Sequence, residues 1–294
     1  MICAYWKGAD SMETILVTGA SGFLGDRAAG YFRERGYRVI TPSHREMELT
    51  DIEAARAVFR REKPQGVIHC AAVSDVGQCQ REPERSWQIN VAGSQNLVRA
   101  AEELGAKCVL CSSDQVYVGS GVFGPHSEDE PLLPGNVYGR EKLEMEGRCL
   151  AINPDCVCLR LSWMYDALRP KAAGDFISRL VSSVREGRRA DYSVMALRGI
   201  TNVELVAQAM EKALDFPGGA YNFGSPNERG MYDTVREIFD TLGLDQSLVG
   251  RAEPSGEKAS SLSMDIARIR KLGVDFPDTA REAARCLAEA LRKL

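Results

Sequence analysis

The chain has 294 residues, of which 44% are hydrophobic and 27% are charged, and its formal net charge is −4. These values are ordinary for a globular protein, and a chain of this length can bury one large core or a core with a smaller lobe. No Lys/Arg-rich run is present, which argues against a nucleic-acid partner, and the longest apolar runs, such as residues 156–161, are too short to cross a bilayer. We therefore expect a cytoplasmic protein that binds neither nucleic acid nor a membrane.

The first eleven residues lack the apolar stretch of a signal peptide, and a second methionine, Met12, stands directly before the first predicted strand. We interpret residues 1–11 as a leader or an expression remnant. They are excluded from the prediction of the fold.

From residue 12 to residue 165, short β-branched runs alternate with amphipathic helical stretches. Strands are predicted at residues 14–18, 38–42, 66–72, 107–112 and 156–163, and helices at 22–35, 52–62, 84–104 and 138–152. This alternation is typical of a parallel sheet with helices on both faces. We predict an α/β fold in which residues 12–165 form a Rossmann-type, doubly wound, NAD(P)-binding domain.

After residue 165 the alternation weakens. Helices are predicted at residues 175–186, 204–214, 232–242 and 279–293, with short strands such as 220–223 between them. We predict that residues 166–294 form a smaller α+β substrate lobe, interleaved with the core and packed over the carboxyl ends of the strands, where open α/β sheets bind ligands. A glycine- and proline-rich loop is predicted at residues 119–135, and the segment 118–134 has the composition of a lid.

Nine cysteines are present, and most lie within apolar segments, where they behave as small core residues. Cys108 and Cys111 have the spacing of a redox or zinc pair. On a strand, however, positions i and i+3 point to opposite faces, and no second pair or suitable histidine is near in the sequence. We therefore predict a structural role for these cysteines and no metal site.

A glycine-rich turn follows the first strand and opens the first helix, with the sequence Thr18-Gly19-Ala20-Ser21-Gly22-Phe23-Leu24-Gly25. Gly19 permits the tight turn, Gly22 allows the backbone to approach a pyrophosphate, and Gly25 lets the helix lie close to the strand. The helix N-terminus then holds the phosphates. We predict a dinucleotide site that includes Gly19, Ser21, Gly22, Phe23, Leu24 and Gly25.

The end of the second strand bears on the choice of nicotinamide cofactor. A carboxylate there binds the ribose hydroxyls of NAD and repels a 2′-phosphate, whereas this chain has Thr41-Pro42-Ser43-His44-Arg45. Arg45 is able to pair with a phosphate and Ser43 to donate to it. These residues favour NADPH over NADH, while a solvated loop charge is the alternative interpretation of Arg45.

Ser113 ends a predicted strand, and Tyr138 and Lys142 are four residues apart on a predicted helix, so that they share one face. A lysine ammonium near a phenol favours its ionised form and lowers its pKa. The pattern Tyr-x-x-x-Lys often occurs by chance. Its interpretation as a catalytic pair therefore depends on its position after the glycine-rich unit. We predict Ser113, Tyr138 and Lys142 as catalytic residues.

The chain resembles the extended short-chain dehydrogenase/reductases from Thr14 onward, and within them most closely the dTDP-4-dehydrorhamnose reductase group. The shared elements are the glycine turn, Ala71-Ala72, Glu82-Pro83-Glu84, Asn90-Val91-Ala92-Gly93, Ser112-Ser113-Asp114-Gln115-Val116-Tyr117, Val137-Tyr138-Gly139 with Lys142, and Arg160-Leu161-Ser162-Trp163-Met164-Tyr165. The resemblance implies that the cofactor also contacts His44, Glu48, Cys70, Ala71, Ala72, Asn90, Tyr138 and Lys142.

The same resemblance implies the chemistry: hydride transfer between NAD(P)H and the 4-keto carbon of a nucleotide sugar. Tyr138 protonates the developing alkoxide, Ser113 steadies that oxygen and Lys142 anchors the nicotinamide ribose. Asn90 orders the site or relays protons through water. Candidate substrate contacts are Asp114, Trp163 and Arg198, and the habit of the superfamily suggests a homodimer.

Three departures from the group fall near the expected ligands and leave the exact sugar open. They are Val76-Gly77-Gln78-Cys79-Gln80, Met47-Glu48, and Gly199-Ile200-Thr201. Two other functions therefore remain. One is a nucleotide-sugar epimerase or dehydratase, and the other is a non-catalytic NADP-binding regulatory subunit that resembles the beta subunit of methionine adenosyltransferase.

Overall fold

The computed structural model describes residues 13–167, 175–252 and 260–293, so the predicted leader lies outside the described residues. The strands are β1 (Thr14–Thr18), β2 (Arg38–Ile40), β3 (Gly66–His69), β4 (Lys107–Ser113), β5 (Val157–Leu161), β6 (Trp163–Tyr165), β7 (Ala190–Ser193), β8 (Ala196–Arg198), β9 (Ile200–Asn202), β10 (Gly219–Phe223), β11 (Val249–Ala252) and β12 (Ser260–Leu262). The α-helices are α1 (Phe23–Glu34), α2 (Ile52–Glu62), α3 (Val76–Arg81), α4 (Pro83–Trp87), α5 (Ser94–Glu102), α6 (Val137–Ile152), α7 (Phe176–Glu186), α8 (Val203–Ala213), α9 (Met231–Thr241), α10 (Ala267–Lys271) and α11 (Thr279–Arg292).

Six strands form one parallel sheet in the order β10-β5-β4-β3-β1-β2. Every residue of β1, β3 and β5 is buried, as expected for strands that are covered by helices on both faces. The chain runs outward from β1 to β2 and then returns to place β3 on the other side of β1. This reversal opens a crevice at the carboxyl ends of β1 and β3, where Rossmann folds bind dinucleotides. The predicted fold class is confirmed.

Each face of the sheet has its own apolar core. One core contains side chains from α1, α8 and α10, and the other contains side chains from α2, α5 and α6. Cys111 belongs to the first core and Cys108 to the second. The two cysteines therefore point to opposite faces of β4, which confirms that they do not form a pair.

The predicted helix over residues 84–104 is divided into three parts. A π-helical turn, Gln88–Gly93, lies between α4 and α5. Within it the buried side chain of Asn90 accepts a hydrogen bond from Val73 N and donates to Val73 O, at 2.8 and 3.0 Å. Helix α3, which was not predicted from the sequence, is capped by Asp75, whose carboxylate accepts a hydrogen bond from Gln78 N at 2.5 Å.

The remaining strands form three separate parallel pairs, β6 with β9, β7 with β11, and β8 with β12. Helices α7, α9 and α11 enclose a third apolar core beside these pairs. After β9 the chain returns to the main sheet, where α8 packs on α1 and β10 forms one edge of the sheet. None of the helices within the described residues is long and apolar enough to span a membrane.

A buried ion pair joins α6 to the sheet. Arg160 on β5 donates to Glu146 on α6 with an Nη2–Oε2 distance of 2.8 Å, and the two side chains are only 5% and 4% exposed. Ser112 Oγ donates to Glu146 Oε1 at 2.5 Å, and Arg160 Nη1 donates to the Tyr117 hydroxyl at 2.9 Å. These hydrogen bonds satisfy charges that would otherwise be costly to bury.

We expect Glu146→Ala to lower the free energy of unfolding by about 3–5 kcal/mol, because it leaves the Arg160 guanidinium buried without its carboxylate. Urea unfolding followed by tryptophan fluorescence measures this loss. The matched control is Glu53→Ala, since Glu53 is 63% exposed in its pair with Arg56 and its removal should change stability very little. Equal losses in the two variants would contradict the assigned role of the buried pair.

Candidate active site

A cleft of about 1240 Å³ lies along the carboxyl ends of β1, β2, β3 and β4. Nearly all of the predicted site residues line it, namely Gly19, Ser21, Gly22, Phe23, Leu24, Gly25, Ser43, His44, Glu48, Cys70, Ala71, Ala72, Ser113, Asp114, Tyr138, Lys142, Trp163 and Arg198. The predicted cofactor and substrate residues thus share one continuous space. Arg45 and Asn90 are the two predicted residues that do not line it.

The glycine-rich turn forms one end of this cleft and is packed too closely for side chains. Gly19 has a φ of +66°, and a Cβ there would lie 2.7 Å from Ala71 N. A Cβ on Gly25 would lie 2.2 Å from the Gly19 carbonyl oxygen. The N-cap residue of α1, Gly22, has no side chain to cap the helix. The turn therefore offers a cradle of backbone at a helix N-terminus, which fits the pyrophosphate of a dinucleotide.

A chain of buried hydrogen bonds supports the turn from below. Thr18 Oγ1 lies 2.7 Å from His69 Nδ1 and accepts from Ala71 N at 3.1 Å. His69 Nε2 lies 2.9 Å from Ser94 Oγ, which donates to Asn90 O. Because Ser94 Oγ uses its proton on Asn90 O, the neutral imidazole donates from Nε2 to Ser94 and accepts at Nδ1 from the Thr18 hydroxyl. Burial, and secondarily the charge of Lys142, lower the pKa of His69 to about 3. The neutral imidazole therefore acts as a fixed link between β1 and the π-helical turn.

On the other side of β1, the polar side chains that follow β2 form hydrogen bonds and ion pairs with nearby residues of the same loop. Ser43 Oγ donates to Glu46 at 2.7 Å, and His44 Nε2 lies 2.8 Å from Glu48. Arg45 is exposed and lies outside the cleft lining. Arg33, which has no counterpart in the sequence prediction, lines the cleft here instead.

The first turn of α6 brings Tyr138 to the end of β4. Asn136 caps the helix by accepting a hydrogen bond from Gly139 N at 2.7 Å. A Cβ on Gly139 would lie 2.3 Å from the Gln115 carbonyl oxygen, so glycine permits the helix to lie against the segment that follows Ser113. Ser113 is placed where hydrogen bonding to the Tyr138 phenol lowers the pKa of that phenol.

Lys142 lies one turn further along α6 and is 3% exposed. Its Nζ donates to the Cys111 carbonyl oxygen at 2.8 Å and lies 5.6 Å from the centre of the Tyr138 ring. Burial lowers the pKa of the Lys142 ammonium. The lysine is thus held at the floor of the cleft by the backbone of β4.

The pKa of Tyr138 differs from the expectation that Lys142 lowers it. Burial, followed by the negative charge of Asp114, raises this pKa above its ordinary value, and the hydrogen bond from Ser113 opposes the rise. Lys142 faces the ring and the Cys111 carbonyl rather than the phenol oxygen. Tyr138 is therefore a neutral phenol, which is the form that donates a proton.

Asn90 supports the site from behind the cleft wall. Besides its two bonds to Val73, its side chain donates to Glu141 Oε2 at 2.7 Å. The other oxygen of Glu141 accepts from Ser86. Asn90 therefore fixes the segment after β3 and α6 relative to each other, and its side chain does not line the cleft.

The far end of the cleft combines a carboxylate, a guanidinium and an indole. Arg198 Nη2 lies 3.4 Å from Asp114 Oδ2, and its guanidinium carbon lies 5.1 Å from the centre of the Trp163 ring. Burial raises the pKa of Asp114, and the Arg198 charge opposes this effect. The guanidinium Nε is buried without a hydrogen-bond partner. This end can thus bind an anionic, partly planar ligand.

Several residues that line or support the cleft were not predicted from the sequence. Arg33 and Arg85 line it, and Glu141 and Glu146 support its floor. The sequence does contain a signal for Glu141 and Glu146, because both recur on the same side of α6 as Tyr138 and Lys142. The residues that the structure describes contain no group of three or more His, Cys, Asp or Glu side chains suited to a metal ion.

Comparison with known proteins identifies the family. Residues 12–290 match the family described as the RmlD substrate binding domain. The chain belongs to this family. The match covers nearly the whole sequence and confirms the resemblance that was drawn from the glycine turn and the Tyr138–Lys142 pair.

Curated relatives in this family have more than one role. The chain is 28% identical over 277 residues to methionine adenosyltransferase 2 subunit beta of Xenopus tropicalis, which covers 88% of this chain and 82% of the relative. It is 26% identical over 246 residues to dTDP-4-dehydrorhamnose reductase of Mycolicibacterium smegmatis, covering 83% and 73% respectively.

Among solved structures, dTDP-4-dehydrorhamnose reductase from Bacillus anthracis in complex with NADP superposes with a TM-score of 0.81 at 20% identity. The match covers 96% of this chain and all of that one (100%). At this level of identity the likeness concerns the fold alone. The parallel sheet and its flanking helices are therefore those of this structural group.

We expect Gly25→Ala to weaken NADPH binding by roughly tenfold or more and to lower stability by about 1–3 kcal/mol, because its Cβ meets backbone that must shift. Fluorescence titration and urea unfolding measure the two effects. Gly30→Ala on the same helix is the matched control, since nothing lies within 4 Å of its Cβ. It should keep full binding and gain roughly 0.5–1 kcal/mol. Normal binding by Gly25→Ala would contradict the proposed cradle.

Proposed function

We propose that this protein is an NAD(P)H-dependent oxidoreductase that reduces the 4-keto group of a nucleotide sugar, as a dTDP-4-dehydrorhamnose reductase does. The observation that carries the proposal is the arrangement of the cleft. Ser113, Tyr138 and Lys142 lie at the floor of the same cleft that the glycine-rich turn closes at its other end. The dTDP-4-dehydrorhamnose reductases among the relatives and neighbours support the choice of substrate class.

The cleft residues fit a nicotinamide dinucleotide. The backbone cradle of Gly19, Gly22 and Gly25 would hold the pyrophosphate, and Lys142 would hold the nicotinamide ribose. When bound, the reduced cofactor supplies the hydride. The absence of a carboxylate directly after β2, where Thr41 and Pro42 stand, supports a preference for NADPH over NADH.

The residues of the chain provide the proton and the orientation. Ser113 holds the substrate oxygen beside the phenol, and Tyr138 transfers its proton to that oxygen as negative charge develops. Arg198 binds the anionic part of the substrate, while Trp163 packs against a planar group. Holding the reacting groups in contact within a cleft supplies much of the rate enhancement. The protein would act in the cytoplasm, alone or as a homodimer.

A regulatory role is the second candidate, and the 28% identity to a methionine adenosyltransferase subunit supports it. In that case NADP would be bound without turnover, and a partner enzyme would be the ligand. Assay of the purified protein with NADPH against a panel of nucleotide-linked 4-keto sugars separates the two functions. Turnover supports the reductase, whereas tight NADPH binding without turnover on any sugar would shift the assignment to the regulatory subunit.

We expect Tyr138→Phe to lower kcat by roughly 10²–10⁴-fold on a sugar that the wild-type protein reduces, since the proton donor is lost. Steady-state oxidation of NADPH measures the effect. The matched control is Tyr232→Phe, because Tyr232 packs near Arg236 on α9 and does not line the cleft. Unchanged turnover in Tyr138→Phe would exclude Tyr138 as the acid.

The raised pKa of Tyr138 predicts a pH profile. The neutral phenol is the active form, so kcat should stay constant through neutral pH and fall only as the pH rises through that pKa. Asp114→Asn removes a charge that raises the pKa, so its alkaline decline should move to lower pH. Asp129→Asn, at a carboxylate that is 83% exposed in its pair with Arg268, should leave the profile unchanged. A profile that moves to higher pH in Asp114→Asn would contradict this account.

A further inference from the structure

We propose that Arg33, on the last turn of α1, is the residue that selects a 2′-phosphorylated dinucleotide, rather than Arg45 in the loop after β2. The inference rests on the proposed function, because it names the specificity residue of that same cofactor site. It reassigns a role that the sequence pattern gave to Arg45.

First, Arg33 lies beside the residue that follows β2. Its Nη2 donates to Thr41 Oγ1 at 3.4 Å, and Thr41 directly follows β2. In Rossmann folds the adenosine ribose lies at the carboxyl end of the second strand. The guanidinium thus reaches the ribose position from the helix side, and it lines the cleft there, whereas Arg45 does not.

Second, the positive charge of Arg33 is available to a phosphate. The neighbouring arginines form ion pairs with carboxylates, Arg35 with Glu211 and Arg38 with Glu62. Arg33 has no carboxylate partner within the described part of the chain. An exposed guanidinium without an acidic partner can take a phosphate in bidentate geometry without first breaking an ion pair.

Third, the loop after β2 contains two ionised carboxylates. Glu46 is held by the Ser43 amide and hydroxyl, and Glu48 by the Thr50 amide and hydroxyl. These hydrogen bonds lower the pKa of both carboxyl groups, which are therefore ionised at neutral pH. A 2′-phosphate would enter beside two negative charges. A cation on the cleft wall is therefore required to make the phosphorylated ribose the better ligand.

The test compares the intact protein with Arg33→Gln and Arg45→Gln by titration of NADPH and NADH, and of the fragments 2′,5′-ADP and 5′-AMP. The fragments report the phosphate contact without any contribution from the sugar substrate. We expect Arg33→Gln to weaken NADPH and 2′,5′-ADP by about 10- to 100-fold and to leave NADH and 5′-AMP within about twofold. Arg45→Gln should leave all four within about twofold.

Loss of NADPH affinity in Arg45→Gln but not in Arg33→Gln would overturn the inference, as would an equal loss of NADPH and NADH in Arg33→Gln. Either result leaves the proposed function intact, because the wild-type protein still binds and uses its cofactor. Failure of the wild-type protein to bind either dinucleotide would instead reject both the proposed function and this inference.

Discussion

The burial of polar side chains along α6 is the constraint on which the rest of the site depends. Tyr138, Glu141, Lys142 and Glu146 all lie against the sheet within four turns of this helix. A buried charge or hydroxyl is tolerated only where it finds partners. Those partners come from four different elements: the Cys111 carbonyl and Ser112 on β4, Arg160 on β5, Ser86 on α4, and Asn90 in the π-helical turn. Satisfying α6 therefore fixes the register between helix, sheet and π-helical turn at once.

Much of this architecture could be predicted from the sequence because its signals are local. The glycine turn and the β-branched runs specify backbone conformation within a few residues, and Tyr138 with Lys142 need only one helical turn to share a face. The π-helical turn could not be predicted, because it depends on the contact between Asn90 and the Val73 backbone, which is distant in sequence. Arg45 stands where a phosphate-binding residue is expected, yet it is exposed and does not line the cleft, which the sequence pattern does not reveal.

The protonation states in the cleft agree with the direction of the proposed reaction. Burial keeps the Tyr138 phenol and the His69 imidazole neutral, the first as a donor and the second as a structural link. Asp114 contributes to the first effect and is itself balanced by Arg198. An anionic substrate that engages Arg198 would weaken its hold on Asp114. In the proposed reaction, substrate binding would therefore change the acidity of the Tyr138 phenol through Asp114.

The return of the chain to the main sheet at β10 has a consequence for biogenesis. A nascent polypeptide that has emerged only as far as β6 exposes β5 as an open edge with an apolar sequence, the kind of edge that invites association with other chains. The edge is covered only when β10 has left the ribosome, well after β4 and α6 have been made. The six-stranded sheet therefore cannot be completed during synthesis until the chain has been made as far as Phe223, and the β5 edge stays open in that interval.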